Sequence, residues 1–463
     1  MPSRFTRPLA SALLLAIASG PSWAATEDCA ERLGVMTHFA QNWDVSLISR
    51  IGDAGIGHVR DELYWDVVES KPGIFVFPAM YDNYMAALKA RGISPLIPLT
   101  FANHNYDDGL TPYSDAAIAA YARYAVEVLR HYGTQIHAVE IWNEYNGSFS
   151  NGPVTDNRSA NYVRMLKAAY TAIKQERPDV TVVGVAAAGL PLPYLEKIFQ
   201  AGGLGFMDAV SVHPYRFDRT PEGLEIQIEK LNRLIARYSP DHPKPVWVTE
   251  IGWATRVSQA EGDLAINEQT KAVFLVRAFT LLLSARVERA YWYLFRDYNE
   301  FATMGQVYAN EDASPKPSYY AMATLLEHLR GTSFSGRIET APGIYALRFA
   351  RGDATSVYIL WSLKPIMVRI PAKAAAYDWR GIRLTEPEIS LTDMPVYIEG
   401  AQPALPPPVP QGALLADAEE GFSSEQNRAG WSYGAFVGDS IEFEPLQTFQ
   451  VTDWKEEWVD VYP

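Results

Sequence analysis

Residues 137–147 read HAVEIWNEYNG: an apolar run of strand length that ends on an amide and a carboxylate, Asn143 and Glu144, with Trp142 just before them. A carboxylate at the end of a buried element gives up water, so its placement needs a structural partner or a chemical role. Seven further runs of this kind recur along the chain: LGVMTHF (33–39), HVRDELYW (58–65), SPLIPLTF (94–101), VTVVGVA (180–186), DAVSVHPY (208–215), PVWVTEIGW (245–253) and RAYWYLF (289–295). Helix-period segments separate them. In the clearest, SDAAIAAYARYAVEVLRHYG (114–133), Ser114 suits an N-cap and Gly133 a stop, while Ile118, Tyr121, Ala125 and Leu129 keep helical spacing. Strands alternating with helices predict a parallel α/β fold, and a count of eight favours a closed (β/α)8 TIM barrel over an open sheet.

The barrel is expected over residues 31–334. Its AVFLVRAFTLLLSA stretch (272–285) is interrupted by Arg277 and reads as an amphipathic helix. After the KPSYYAMATLLEHLRG segment the rhythm changes to alternating apolar positions with short polar turns, which predicts a small β-sandwich domain over 335–400. AQPALPPPVPQG (401–412) is a proline-rich linker. Residues 413–463 are acidic, aromatic and few, and are expected to be a partial or shortened β-rich module.

The 463 residues are 48% hydrophobic and 20% charged, the composition of a soluble globular chain. A formal charge of −14 offers no electrostatic footprint for nucleic acid or an anionic membrane. Arg4 and Arg7, the apolar LASALLLAIAS, and small residues Ser22 and Ala24 before Ala25 read as an export signal over 1–24. Its apolar core is too short to span a bilayer. Cys29 is the only cysteine, so no intrachain disulfide is expected. A periplasmic or secreted monomer is the resulting expectation.

In such barrels the C-terminal strand ends form the active face. The fourth strand ends on Asn143 and Glu144, and the seventh, VWVTE, ends on Glu250, 106 residues later. Paired carboxyls at one mouth are what glycoside hydrolysis needs: about 5–5.5 Å apart for retention, about 6.5–9.5 Å for inversion. A general acid must keep its proton until it acts, which a dry, walled site favours; Trp142 and Tyr145 are candidates for that wall.

IWNE followed by VWVTEIGW, with VRDELYW before them and VSVHPY between, resembles clan A of the retaining (β/α)8 glycosidases, and within it glycoside hydrolase family 39 and related bacterial enzymes acting on exopolysaccharide. The resemblance covers roughly residues 31–400. It implies Glu144 as general acid/base, Glu250 as nucleophile and Asn143 as the partner of the sugar 2-hydroxyl. It further implies Arg60 beside Glu250, His213 and Tyr215 in the strand-six wall with Tyr215 bonded to the nucleophile, and Trp292 as an apolar platform. Tyr145 departs from the pattern, since many relatives have proline there. The substrate implied is an oligo- or polysaccharide with β-linkages, and no cofactor or metal is expected.

Other readings of these residues remain open. Arg60 could instead pair with Glu62 or Glu140, and Glu140, inside its strand, suits a buried ion pair. His38 and His213 suit either a site wall or a satisfied core. Trp65, Phe101, Trp253 and Phe295 stand at strand ends, where sugar stacking competes with packing. NHNYDD (103–108) reads as a loop, not a metal site. A non-catalytic glycan-binding barrel, or an inverting enzyme on the same scaffold, are the competing functions.

Overall fold

The computed structural model describes residues 28–255, 263–298 and 303–408, together with four short strands further on. The expected export signal lies outside the described residues. Eight parallel strands form the central sheet: β1 (Leu33–Met36), β2 (His58–Arg60), β3 (Ser94–Thr100), β4 (Ala138–Ile141), β5 (Thr181–Ala188), β6 (Ala209–His213), β7 (Val246–Ile251) and β8 (Arg289–Trp292). A two-residue piece, Leu63–Tyr64, resumes the second strand position alongside β3. Strand β8 returns to β1 through Leu33↔Ala290 and Val35↔Trp292, so the sheet closes into a barrel without an edge. At the N-terminal end its lumen is filled by Leu96, Ala138, Val183, Ala209, Trp247 and Tyr291. That packing closes one end and leaves the C-terminal mouth for chemistry.

The surrounding helices follow local rules. Ser114 caps helix Asp115–Tyr132 by accepting from Ala117 N, Gly133 stops it at φ 53°, and Ile118, Tyr121, Ala125 and Leu129 are all buried. Helix Glu268–Ser284 departs from the amphipathic expectation: every residue from Lys271 to Leu283 is buried, Arg277 included. The cause is the C-terminal domain, which covers the face that would otherwise meet water. Arg277 Nε donates to Glu222 Oε1 at 2.7 Å, and the Trp361 indole donates to the same oxygen at 2.9 Å. No described helix is long and apolar enough to cross a membrane.

That domain is antiparallel throughout. Strands β9 (Thr332–Arg337), β10 (Ile344–Arg351), β11 (Ser356–Ser362), β12 (Ile366–Arg369), β13 (Ala375–Asp378), β14 (Arg383–Leu384), β15 (Glu388–Leu391) and β16 (Val396–Glu399) form a six-stranded sheet, ordered β9-β10-β11-β16-β13-β14, and a two-stranded sheet, β12-β15. Every residue of strand β11 is buried, on both faces of the strand. Tyr358, Leu360 and Ile398 pack with Val368, Ile389 and Leu391 of the smaller sheet. Val357, Ile359, Trp361 and Tyr397 join the barrel's own core on the other side. Within the proline-rich stretch, Pro406 O accepts from Ala341 N. Of residues 413–463, only the paired strands Gly434–Phe436 with Phe443–Pro445, and Thr448–Val451 with Glu456–Val459, are described.

Candidate active site

Strand β4 stops at Ile141, three residues before the carboxylate. Trp142 takes φ 69° and Glu144 φ 45°, left-handed values that non-glycine residues adopt only when held there. The hold comes from β5, where Ala186 O accepts from Glu144 N at 2.8 Å. Val185 and Ala186 themselves sit at φ 86° and 43°, where the β5–β6 register slips between Gly184 and Ala187. The Trp142 indole donates to Phe149 O at 3.1 Å and its ring lies edge-on to Phe101. Trp142 therefore anchors the loop that presents the carboxylate.

Glu250, in β7, is held through both oxygens. Arg60 Nη1 donates to Oε1 at 2.5 Å, and the Tyr215 hydroxyl donates to Oε2 at 2.8 Å. Burial and the facing Glu250 push the Tyr215 hydroxyl well above its ordinary pKa, so it remains a donor. Arg60 is 1% exposed, yet Glu140 and Glu250 outweigh its burial and raise its pKa further. Its Nε donates to Glu140 Oε2 at 2.7 Å and its Nη2 to Asn143 Oδ1 at 2.8 Å. The Asn143 oxygen is thereby committed, which leaves its NH2 as the group offered to a ligand.

Behind both carboxylates lies His213, fully buried. Its Nδ1 is 2.9 Å from Glu144 Oε1 and 3.8 Å from Glu250 Oε2, and its Nε2 is 3.0 Å from Thr249 Oγ1. Burial opposes a charged ring here, but Glu250 and Glu144 outweigh it and raise the His213 pKa above 6.5. One oxygen of Glu144, one of Glu250 and a His213 nitrogen all lie within 4.8 Å of one another. Three such donors could in principle hold a cation. The Arg60 guanidinium already supplies positive charge to Glu250, and both His213 nitrogens are engaged, so the chemistry of the set favours proton and carboxylate work.

The pair opens into a cavity of about 760 Å³. Asn143, Glu144 and Glu250 meet His38, Glu62 and Tyr293 around it. Phe101 stacks on Phe149 (5.3 Å, 8°) on one side, and Tyr215 on Phe217 (5.1 Å, 23°) on the other. Aromatic faces flanking a polar floor suit a sugar ring, whose C–H faces are apolar and whose rim is hydroxylated. A smaller cavity of about 300 Å³ at the N-terminal mouth is lined by a single carboxylate, Glu288, and lacks the pair.

The structure thus brings together Glu144, Glu250, Asn143, Tyr215 and His38 on the cavity wall, with Arg60 and His213 immediately behind it. Of the alternative partners for Arg60, Glu140 is bonded, whereas Glu62 pairs with His38 at 3.3 Å. Trp65 and Trp292 do not line the cavity, which corrects the expectation for both. Trp65 donates to Glu69 Oε2 and stacks between Tyr106 and Tyr124. Trp292 donates to Met304 O and packs on Trp253 and Phe279, because in β8 Tyr291 points into the lumen and its neighbour must point out. The cavity face falls to Tyr293. Phe101 does line the cavity, while Trp253 and Phe295 are core. Sequence reasoning passed over Tyr293 and gave Glu62 only as an alternative partner for Arg60, although alternation from Tyr291 and from Arg60 puts both on the inward face.

Residues 125–319 match the family model of the glycosyl hydrolase catalytic core, a span that contains Asn143, Glu144, His213, Tyr215 and Glu250. No curated protein matches the sequence. Among solved structures, the chain is similar to a family 39 glycoside hydrolase from the gut symbiont Bacteroides cellulosilyticus, with TM-score 0.70, 24% identity, and coverage of 81% of this chain and 82% of that one. A family 39 β-xylosidase from Caulobacter crescentus gives TM-score 0.58 at 17% identity, over 81% and 97% of the two chains. The catalytic domain of family 30 xylanase C from Talaromyces cellulolyticus gives TM-score 0.57 at 12% identity, over 80% and 96%.

Proposed function

We propose that this glycosidase, whose barrel carries a glycosyl hydrolase catalytic core, cleaves β-glycosidic bonds of an oligo- or polysaccharide by double displacement with retention. The observation that carries the reading is the approach of the Glu144 and Glu250 carboxyls, oxygen to oxygen within 4.8 Å. An approach this close supports the retaining separation of about 5–5.5 Å over the about 6.5–9.5 Å across which inverting enzymes hold a water.

In the first step a Glu250 oxygen bonds to the anomeric carbon as the bond to the departing oxygen breaks and Glu144 delivers a proton to that oxygen. In the second, Glu144 takes a proton from water, the water oxygen bonds to the anomeric carbon, and Glu250 leaves as a carboxylate. Arg60 and Tyr215 fix the two Glu250 oxygens, so attack needs little reorientation. The Asn143 NH2 donates to the sugar 2-hydroxyl, a bond that strengthens as charge develops. His213 orients Glu144 from behind. The leader-like residues 1–24 support export to the periplasm or beyond, where a bacterial exopolysaccharide is a candidate substrate.

Azide rescue tests the roles. On a β-glycoside with an activated phenol leaving group, Glu144→Ala should accumulate the glycosyl-enzyme and, with azide, release a β-glycosyl azide. Glu250→Ala with azide should give the α-glycosyl azide, because azide then replaces the nucleophile itself. Opposite configurations would exchange the two roles, and full hydrolysis by either variant would remove the assignment.

A further inference from the structure

We propose that the cavity selects uncharged glycans against uronic acids, and that Glu62 is the residue that sets this preference; the inference rests on the glycosidase reading of the same site. Glu62 follows Arg60 by two residues and shares its inward face, and it lines the same cavity as Glu144 and Glu250. It is 8% exposed, and its Oε2 lies 3.3 Å from His38 Nδ1. The two-carboxylate reaction does not use it. A third carboxylate in this wall is therefore either an unexplained desolvation cost or a group that meets the substrate.

The charges around it favour the second account. Three carboxylates, Glu62, Glu144 and Glu250, face the cavity, and no lysine or arginine lines it among the described residues. Arg60, the cation just behind the wall, is committed: Nε to Glu140, Nη1 to Glu250 and Nη2 to Asn143. His38 is matched by Glu62 on one nitrogen and lies 3.4 Å from the Tyr293 hydroxyl on the other. A sugar carboxylate entering here would lose its water, find no uncommitted lysine or arginine among the described residues, and face the charges of Glu62 and Glu250, Glu144 holding its proton until it acts. A sugar hydroxyl instead donates to Glu62, which as a carboxylate only accepts. The chain's formal charge of −14 opposes a polyanion at longer range as well.

The test uses neutral polysaccharides, each paired with its C6-oxidised form, in which primary alcohols have become carboxylates, and with that form reduced back to the alcohol. Release of reducing ends gives kcat/KM for each. Wild-type enzyme should cut the neutral and re-reduced polymers alike and the oxidised one at least about 100-fold more slowly. Glu62→Gln, an isostere, should narrow that ratio to about tenfold or less and raise KM on the neutral polymer several-fold. Because the substrate comparison needs no variant, it stands even if Glu62→Gln folds poorly, which a melting curve would show. Equal cutting of oxidised and neutral polymers would overturn the selectivity. An unchanged ratio in a folded Glu62→Gln would overturn the role of Glu62. If no polymer were cut and an activated 2-fluoroglycoside failed to label Glu250, the glycosidase reading beneath the proposal would fall with it.

Discussion

Replacing Arg60 with methionine separates what this buried cation does for the fold from what it does for the reaction. Arg60 is 1% exposed and holds Glu140 at 2.7 Å and Glu250 at 2.5 Å. At such distances each contact amounts to about 6 kcal/mol of Coulomb attraction at an effective dielectric of about 20. Desolvation of the ions takes much of that back, and removing one partner of a buried pair costs about 3–5 kcal/mol because the other charge is stranded. The stranded group is Glu140, which is 0% exposed and whose Oε1 has no hydrogen-bond partner among the described residues. Arg60→Met should therefore lower the unfolding free energy by about 3–5 kcal/mol. Adding Glu140→Gln, which removes the uncompensated charge, should return about 2 kcal/mol. Activity should follow a different course. The lost donor to Glu250 Oε1 should reduce kcat by about 100-fold or more in both variants, with no recovery in the double one. Urea unfolding followed by tryptophan fluorescence, alongside turnover of a confirmed substrate, reads both quantities. A cost below about 1 kcal/mol, or joint recovery of stability and kcat in the double variant, would refute the reasoning.

Three further outcomes follow from the same contacts. Although burial opposes it, the Arg277 guanidinium holds the Glu222 carboxyl below its ordinary 4.5, so this group adds stability above about pH 4.5 that is lost as pH falls through the lowered folded value. Melting temperature against pH should show that acid limb in wild type and a weaker one in Glu222→Gln. The His213 pKa is raised, so its stabilisation is complete below about pH 6.5 and disappears as pH rises through the folded value, by at most about 1.4 kcal/mol per pH unit. The same scan on His213→Gln should lose part of that alkaline slope, the remainder belonging to His38, whose pKa is raised by Glu62 against the opposing effect of burial. Trp292→Phe should cost about 1–3 kcal/mol of stability with KM unchanged, whereas Tyr293→Ala should raise KM several-fold; a KM effect confined to Trp292→Phe would restore the platform role to that residue.

The barrel was legible because its evidence is repeated. Each strand is an apolar run bounded by turns, and observed strands begin within a residue or so of the expected starts. Their ends were less so. HAVEIWNE runs on as pattern, but β4 stops at Ile141, because Trp142 and Glu144 adopt left-handed backbone that a neighbouring strand enforces through Ala186 O. Local sequence carries no trace of such a contact. Burial of Arg277 was hidden for the same reason: its partner Glu222 lies 55 residues away, and Trp361, on the same oxygen, belongs to another domain. Trp292 shows a different failure. The sequence held the needed information, since one step of alternation separates Trp292 from Tyr293, but the family resemblance carried the platform role onto the wrong one.

The stereochemistry of the first-formed product tests the central claim most directly. With a β-glycoside the enzyme cuts, proton NMR of the anomeric signal in the first minutes, before mutarotation, should show the β-anomer appearing first and the α-anomer only later. That order is what the proposed retaining mechanism predicts from carboxyl oxygens within 4.8 Å of each other. An α-anomer as the initial product would mean inversion, and with it the loss of Glu250 as nucleophile.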